Sequence, residues 1–352
     1  MNCVQFNFEK QYIKDFINFP KKIYPKGNNE DSKEIEQILK EKHPLSKYFK
    51  LYKFLIYQEK EVVGRFAITI YPNDTTAYIG LVEWIKDEEV AKYLFNVAED
   101  FAKKNNYEKI LGPVDSSFWI KYRLKINKFE QRPYTGEPYN QEYYFKMFLD
   151  NGYQVIEHYT STIYRNVDTD YKSDKYSNSY HDFIQKGYQI KSLNRKEFEN
   201  TLRQLYDLIT KLYSDFPVYK YIEKEDFIQI FKKYQKIINP EMVKLAYHNK
   251  QLVGFCISIP NYENMVYQIN LINLIRILKQ KRKPKEYIML YMGVEREHRG
   301  IGRAIVHDMI EELRKNHLPS IGALIKDGKA TQNYAKELIE GKYEYVLLEK
   351  KL

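Results

Sequence analysis

Cysteine is scarce in this chain: its 352 residues include two, Cys3 and Cys256. Two cysteines allow at most one bridge, and these two form no metal-binding or redox motif. The scarcity therefore excludes a disulfide framework and a cysteine-based metal site. It also fits a reducing compartment, so we expect a cytoplasmic protein that uses no metal.

Long apolar runs are missing as well. The first residues, MNCVQFNFEKQYIKDF, lack the apolar core of a signal peptide. No apolar segment is long enough to span a bilayer, because the nearest candidate, INLINLIRIL at 269–278, is interrupted by asparagines and an arginine. We therefore expect a soluble chain with no membrane span.

The chain has a modest excess of positive charge, with 57 Lys+Arg against 47 Asp+Glu and a net charge of +10. Such an excess favours an anionic partner: a phosphorylated cofactor, a nucleic acid or a membrane surface. The charges are spread along the chain, however, so a lysine-rich composition accounts for the excess without any partner. A hydrophobic content of 43% and a length of 352 residues suit a globular protein of two domains.

A first series of elements occupies the N-terminal half. YKFLIYQ and VVGRFAITIYP predict a hairpin, and AYIGLVEWI predicts a third strand. The next segment, 87–106, has apolar residues at helical spacing, and Asp87 is placed to cap that helix. A strand at 109–115, a helix at 141–153 and a strand at 155–165 complete the series.

A second series repeats this order. MVKLAYHN and LVGFCISIP predict a hairpin, and YIMLYMGV at 287–294 predicts a strand. The next elements are a helix, a strand at 320–326, a helix in ATQNYAKELIEG and a final strand at 342–352. The first of these helices carries one apolar face, formed by Ile305, Val306, Met309, Ile310 and Leu313.

The two series suggest an internal duplication. Chance similarity of two α/β halves is the alternative, but in both halves the second hairpin strand contains Val-Gly before an apolar run and a proline. We therefore predict two domains, 1–165 and 190–352, joined by a linker at 166–189 that includes a short helix.

The turn RGIGRA, at 299–304, joins a predicted strand to a predicted helix. The first N–H groups of a helix are unpaired, and the helix dipole makes that end positive, so such a turn is an anion site suited to a pyrophosphate. Glycine lets the anion approach the backbone, and Arg299 and Arg303 add charge. The alternative is a tight turn that needs two glycines for its geometry alone. No GK[ST] follows, which excludes a P-loop, and the third glycine of a dinucleotide fingerprint is missing.

The spacing Arg299-x-x-Gly302-x-Ala304 fits the R/Q-x-x-G-x-G/A signature of the GNAT (GCN5-related N-acetyltransferase) superfamily, and GVEREHRGIGRAIVHDMIEEL resembles that family's coenzyme A motif. The resemblance implies an α/β (α+β) fold of two tandem GNAT-like domains, each a mixed, mostly antiparallel sheet flanked by helices. It also implies an acyl-CoA co-substrate, acetyl-CoA or another. The CoA pyrophosphate would bind the backbone of Arg299, Gly300, Ile301, Gly302, Arg303 and Ala304, and its pantetheine arm the main chain around Met292 and Val294.

The same resemblance suggests catalytic residues. Its general acid is a tyrosine on the helix after the next strand, where Tyr334 is the one tyrosine present. The family's tyrosine often stands four residues before the terminal glycine, where this chain has Glu337, so a packing role for Tyr334 is the alternative. For the base, Glu295 and Tyr291 are the candidates, and a solvated role for Glu295 stays open. We expect His298 and His307 to be surface residues.

The first series has no matching turn. Acidic KDEE precedes its helix and would repel a pyrophosphate. The whole chain thus resembles bacterial tandem GNAT proteins with a degenerate N-terminal half, a likeness supported by FINFPKKIYP, GPVDSSFW and PYTGEPYNQEYY. The loop PYTGEPYN suits a wall of an acceptor pocket or a purely structural cover of the sheet.

An insert at 262–285 separates the second hairpin from the strand at 287–294. Leu271, Leu274, Ile275 and Leu278 share a helical face, and a basic cluster follows. Three interpretations are open: a helix at a membrane or acyl-chain entry, a contact with the adenosine phosphate of CoA or with nucleic acid, and a helix packed on its own domain with a solvated basic end. We favour the last.

These observations favour an acyl-CoA-dependent N-acyltransferase, most simply an acetyltransferase, acting on a small-molecule or peptide amine. An aminoacyl-tRNA-dependent transferase of tandem GNAT-like type fits the charge but has no need of the pyrophosphate turn, and a nucleic-acid partner is not expected. A non-catalytic CoA-binding protein is the third possibility. The acceptor, the acyl chain length and the oligomeric state are open.

Overall fold

The computed structural model describes residues 1–25 and 27–352. Its strands are β1 (Asn2–Phe6), β2 (Lys50–Gln58), β3 (Glu61–Ile70), β4 (Thr76–Trp84), β5 (Lys109–Gly112), β6 (Val114–Asp115), β7 (Lys121–Tyr122), β8 (Leu124–Lys125), β9 (Gln154–Tyr164), β10 (Gln189–Ser192), β11 (Val243–His248), β12 (Gln251–Pro260), β13 (Tyr287–Val294), β14 (Ser320–Lys326) and β15 (Ile339–Lys351). Its α-helices are α1 (Lys10–Asn18), α2 (Pro20–Ile23), α3 (Ser32–Leu39), α4 (Glu88–Lys104), α5 (Tyr143–Asp150), α6 (Asp174–Gln185), α7 (Phe198–Tyr213), α8 (Lys224–Phe231), α9 (Leu271–Arg282) and α10 (Ile301–Lys315).

The chain divides into two compact units. Unit 1 comprises Met1–Pro133, Glu137–His158 and Glu344–Leu352, and unit 2 comprises Tyr134–Gly136 and Tyr159–Tyr343. The units differ from the predicted domains at two strands. The end of β15 belongs to unit 1 because it pairs with β5 and β8. The end of β9 belongs to unit 2 because it pairs with β14.

The segment predicted as a linker, 166–189, also belongs to unit 2. It contains the expected short helix, α6, and Tyr176 of that helix is buried in the same core cluster as Ile301 and Ile305 of α10. The segment is therefore part of the packed body of unit 2. The sequence pattern missed this because the aromatic residues of α6 are separated by polar ones.

Each unit has a sheet of the same design. In unit 1 the strands lie in the order β1-β2-β3-β4-β5-β15, and in unit 2 in the order β10-β11-β12-β13-β14-β9. The pairing is antiparallel except at β4 with β5 and at β13 with β14. The predicted mixed, mostly antiparallel sheets flanked by helices are confirmed, and both predicted hairpins form.

The shared Val-Gly of the two hairpins lies beside the flanking helix in each unit. A Cβ at Gly64 would lie 3.4 Å from Cδ1 of Leu94 in α4, and a Cβ at Gly254 would lie 3.2 Å from Cδ1 of Ile305 in α10. The first contact would be ordinary and the second tight, so the close approach of the helix favours glycine at Gly254. The internal duplication stays a prediction.

The apolar faces predicted for α4 and α10 are buried. In α10, Ile305, Met309, Ile310 and Leu313 are buried and Val306 is partly buried. In α4, Asp87 caps the helix as predicted, since its Oδ1 accepts hydrogen bonds from the N–H groups of Glu89 and Val90 at 2.9 and 3.2 Å.

The helix predicted in ATQNYAKELIEG is wrong. The segment forms two short 3₁₀ turns, Ala330–Asn333 and Lys336–Leu338, before β15 begins at Ile339. Tyr334 between them is extended, and Ala335 adopts a left-handed conformation with φ 43°. The Ala335 N–H donates to the hydroxyl of Tyr176, so a contact with α6 replaces the helical bond.

Candidate functional site

The RGIGRA turn forms the start of α10. A 3₁₀ turn at Arg296–His298 follows β13, and Gly300 then precedes the helix with φ 104°, a conformation that favours glycine. No side chain caps this helix start. Arg299 and Arg303 are exposed, and within residues 1–25 and 27–352 neither has an ion-pair partner. Such an end offers unpaired N–H groups and two free positive charges to an anion.

A gap opens between β13 and β14 beside this helix. The two strands pair at Tyr287–Met289 with Ser320–Gly322, and the pairing stops there. Beyond that point β14 turns away, with Leu324 in a left-handed conformation and its N–H bonded to Oγ of Ser161. On its other edge β13 stays paired with β12 as far as Val294. The β14 side of Leu290–Val294 therefore faces a gap between the two strands.

Three of the predicted site residues meet at the start of α10. A Cβ at Gly302 would lie 2.5 Å from the hydroxyl oxygen of Tyr334 and 3.4 Å from Cε of Met292. Tyr334 is thus next to the turn, although the helix expected to carry it does not form. Burial raises the pKa of Tyr334, and the nearby Tyr176 adds to the shift while Arg303 opposes it. The hydroxyl stays protonated at neutral pH and is available as a proton donor.

Glu295 is 7% exposed, so the solvated role considered for it does not apply. Its Oε1 accepts a hydrogen bond from Nζ of Lys211 in α7 at 2.9 Å, and Nε2 of His298 lies 3.8 Å from its Oε2. Nδ1 of His298 is 2.8 Å from the hydroxyl of Tyr188. Glu295 therefore lies in a polar cluster with Lys211, His298 and Tyr188 at the exit of β13. Sequence reasoning missed Lys211 and Tyr188 because they stand on elements far from the motif.

The other predicted residues have varied positions. Met292 and Val294 pack against the unit 2 core below α10. Tyr291, on the opposite face of β13, is 40% exposed. His307 is partly buried with its ring 4.9 Å from that of Tyr180, and burial lowers its pKa. His307 is thus less of a surface residue than expected.

The start of α4 in unit 1 is closed to anions. The side chain of Asp87 accepts bonds from the first N–H groups, and Glu88 and Glu89 follow in the first turn. These groups place negative charge where α10 carries Arg299 and Arg303. The repulsion of a pyrophosphate by the acidic KDEE segment stays a prediction, for which this arrangement supplies a physical reason.

The gap of unit 1 is filled by its own chain. β4 and β5 pair at Thr76–Tyr78 with Lys109–Leu111. Beyond that point Gly80 approaches β6 so closely that a Cβ there would lie 1.8 Å from the carbonyl oxygen of Val114. Oδ1 of Asp115 accepts the N–H of Leu81 at 2.7 Å. The main chain of β4 therefore has its partners within the unit.

A polar cluster lines what is left of that gap. The cavity measures about 30 Å³, room for water molecules. Arg65, fully buried, donates to Glu30 at 2.6 Å, and Lys121 pairs with Asp115 at 2.9 Å. Glu83 accepts bonds from the hydroxyls of Tyr24 and Tyr144. Burial raises the pKa of Glu83 to about 7.

The loop PYTGEPYN is held by structural contacts. In unit 2, the hydroxyl of Tyr134 is 2.8 Å from Oγ of Ser161, and Oγ1 of Thr135 accepts the N–H of Tyr262 at 2.7 Å. In unit 1, Glu137 is fully buried and pairs with Lys125 at 2.8 Å. These contacts favour the structural interpretation of this loop.

Within residues 1–25 and 27–352, no three His, Cys, Asp or Glu side chains are arranged to hold a metal ion. No helix in the same part of the chain combines the length and the apolar character that crossing a membrane requires.

Comparisons with known proteins agree with this architecture. The structure is similar over 99% of its length to a tandem GNAT protein from the clavulanic acid biosynthesis pathway, with a TM-score of 0.57, 10% identity and 98% of that chain covered. A GCN5-related N-acetyltransferase from Sphaerobacter thermophilus gives a TM-score of 0.51 at 11% identity, with 99% of this chain and 95% of that one covered. One from Anabaena variabilis gives 0.52 at 9%, with 98% and 72% covered. The chain therefore has the GNAT fold, in two tandem units.

In sequence, the chain is similar to Protein YghO of Escherichia coli K12. The two are 22% identical over 272 residues, which are 74% of this chain and 69% of that protein. No model of a protein family matches the chain. The fold is thus shown by structural likeness, while function depends on the site.

Proposed function

We propose that this protein is an acyl-CoA-dependent N-acyltransferase, most simply an acetyltransferase, with its one CoA site in unit 2. The observation that carries the proposal is the uncapped start of α10 beside the gap between β13 and β14. A site for a long phosphorylated thioester needs an anion cradle at one end and unpaired main chain at the other. The turn at 299–304 supplies the first part, and the edge of β13 that β14 leaves unpaired supplies the second. The hydroxyl of Tyr213 donates to the Met292 carbonyl at 3.3 Å, a bond that the pantetheine arm would replace.

The residues present fit such a co-substrate. The N–H groups between Arg299 and Ala304 hold the pyrophosphate, and the absence of a side chain at Gly302 makes room for the hydroxyl of Tyr334 beside the turn. Arg299 and Arg303 add charge-assisted bonds. The main chain at Met292 and Val294 orients the pantetheine arm in the gap. When bound, the acyl-CoA supplies an activated thioester carbonyl to an amine acceptor.

Tyr334 and Glu295 are the proposed acid and base. The Tyr334 hydroxyl, kept protonated by burial, donates its proton to the leaving thiolate. An amine is nucleophilic when neutral, so its proton must be removed as it attacks. Glu295 takes that proton through water, and Lys211 holds the carboxylate in place. The acceptor is a small molecule or a peptide with a primary amine.

The assay for this proposal is release of free thiol from acetyl-CoA and longer acyl-CoAs in the presence of an amine panel. Arg303→Ala removes one positive charge from the first turn of α10, and Lys315→Ala removes one from its last turn. We expect Arg303→Ala to raise the KM for acyl-CoA about tenfold or more, and Lys315→Ala to leave it unchanged.

The outcomes separate the candidate functions. Equal KM values for Arg303→Ala and Lys315→Ala would contradict the assignment of CoA to the turn. Tight CoA binding with no thiol release across the panel would favour a non-catalytic CoA-binding protein. Transfer from aminoacyl-tRNA with no effect of CoA would favour the tRNA-dependent alternative.

A further inference from the structure

Helix α9 exposes most of its apolar side chains. In and just before it, Ile269, Leu271, Ile272, Leu274, Ile275 and Leu278 are between 44% and 74% exposed. Leu271, Leu274, Ile275 and Leu278 form one face at the spacing i, i+3, i+4, i+7. The interpretation that this face packs on its own domain is therefore wrong. A contiguous exposed patch of this kind marks an interaction surface.

The opposite side of the helix holds it to unit 2. Ile277 is buried, and Nε2 of Gln280 donates to the carbonyl of Asn261 at 3.1 Å. The carbonyl of Lys281 accepts a bond from Asn239 at 3.2 Å, and Oδ1 of Asn270 caps the first turn at 2.9 Å. These contacts fix one side of the helix to unit 2. The opposite, apolar side is therefore left exposed.

Positive charge lies on and beside the exposed face, while Lys281 is on the docked side, where its Nζ donates to the carbonyl of Lys236. Between Glu263 and Glu286 the chain has no acidic residue and six basic ones, Arg276, Lys279, Lys281, Arg282, Lys283 and Lys285. Within the described part of the chain, none of the six forms an ion pair with an acidic side chain. Arg282 stands eleven residues after Leu271, which is three helical turns, and so lies on the apolar side.

The combination favours an anionic partner. A basic protein groove would repel this helix, a neutral one would leave its cations unpaired, and an acidic one would give no binding in the vesicle test below. An anionic lipid surface accepts both parts, because the leucines and isoleucines enter the acyl boundary while the long basic side chains reach the phosphates. We propose that α9 is an interfacial anchor that holds this protein on anionic membranes, with the helix lying in the plane of the surface. This proposal is independent of acyl transfer.

Vesicle flotation with the full chain tests the proposal. The probes are phosphatidylcholine vesicles with and without about 30% phosphatidylglycerol, a charge density that attracts basic segments. We expect binding to the anionic vesicles, weakened by added salt because the charges are exposed. Ile275→Glu with Leu278→Glu should abolish it. Lys279→Glu with Arg282→Glu should lower it about 25-fold or more, at about fivefold per lost cation.

A matched control is Ile184→Glu, which makes the same change at an apolar side chain of α6 that is 39% exposed. It should bind vesicles like the wild type. Because the α9 substitutions are on an exposed face, their melting temperatures and CoA affinity should be unchanged. Absence of wild-type binding to anionic vesicles at low salt would overturn the proposal. So would a dimer that the α9 substitutions disrupt while vesicle binding persists, since the face would then be a contact between copies.

Discussion

Gly302→Ala tests whether Tyr334, the proposed acid, contacts the RGIGRA turn. Gly302 lies in the first turn of α10 and is buried. The added Cβ would lie 2.5 Å from the hydroxyl oxygen of Tyr334, well inside van der Waals contact, and 3.5 Å from its Cζ. Removing that oxygen with Tyr334→Phe would leave ordinary contacts around the new methyl group.

The expected change in the free energy of unfolding follows from two opposing effects. Gly→Ala in a helix stabilises by up to about 1 kcal/mol, whereas overpacking costs about 1–3 kcal/mol. In the wild-type background we therefore expect Gly302→Ala to lower the free energy of unfolding by about 1 kcal/mol, near the middle of the range these effects allow. In the Tyr334→Phe background the overpacking term disappears, and the same change should be neutral or stabilising. The predicted coupling energy is about 1–3 kcal/mol.

The assay is urea unfolding of the four proteins of this double-mutant cycle. Both tryptophans, Trp84 and Trp119, belong to unit 1, so tryptophan fluorescence would report the wrong unit. Hydrogen exchange of the α10 amides reports unit 2 directly. Coupling below about 0.5 kcal/mol, the limit for independent sites, would refute the contact between Tyr334 and Gly302 and with it the proposed acid.

Three further results are expected. Tyr334→Phe should lower kcat about 100-fold with little change in CoA affinity, since it removes a proton donor; steady-state kinetics and a binding titration check this, and a parallel loss of affinity would indicate a binding role. Glu295→Gln should lower kcat with little change in CoA affinity, since it removes the proton acceptor, and an unchanged kcat would exclude it as the base. Glu83 has a folded pKa of about 7 against an ordinary value of 4.5, so the folded state keeps a proton that the unfolded chain has lost and stability falls as pH rises through that window. Between about pH 5 and pH 8 the wild type should lose about 2–3 kcal/mol relative to Glu83→Gln, and equal pH dependence in urea unfolding would contradict the assignment.

Periodicity and capping predicted the elements that depend on local pattern. The face of α10, the cap at Asp87 and both hairpins form as expected. Each of these features is specified by residues close together in sequence, within one helix or within two consecutive strands. The turn at 299–304 was predictable for the same reason, because its glycines and arginines are contiguous, whereas its binding of an anion stays a prediction.

Features that depend on distant contacts were not predictable in this way. ATQNYAKELIEG has a helical spacing, yet Ala335 bonds to Tyr176 and the helix does not form. The apolar face of α9 was predictable from its spacing. The side through which the helix packs on unit 2 was not, because it depends on contacts of Ile277 and Gln280 with residues distant in sequence. A pattern shows that a face is apolar and leaves open what covers it.

The filling of the gap in unit 1 is a further feature that the sequence alone does not predict. Nothing in the sequence shows that Val114 and Asp115 return to β4, since that contact joins residues more than thirty positions apart. Together with the acidic helix start, this contact is why we assign CoA to one unit. The tandem fold alone would permit two sites.

Isothermal titration of the wild-type chain with acetyl-CoA tests the central claim most directly. The account predicts one site per chain, with affinity reduced strongly in an Arg299→Ala and Arg303→Ala double variant and unchanged in Lys315→Ala. No binding, two sites per chain, or full affinity in the double variant would contradict it.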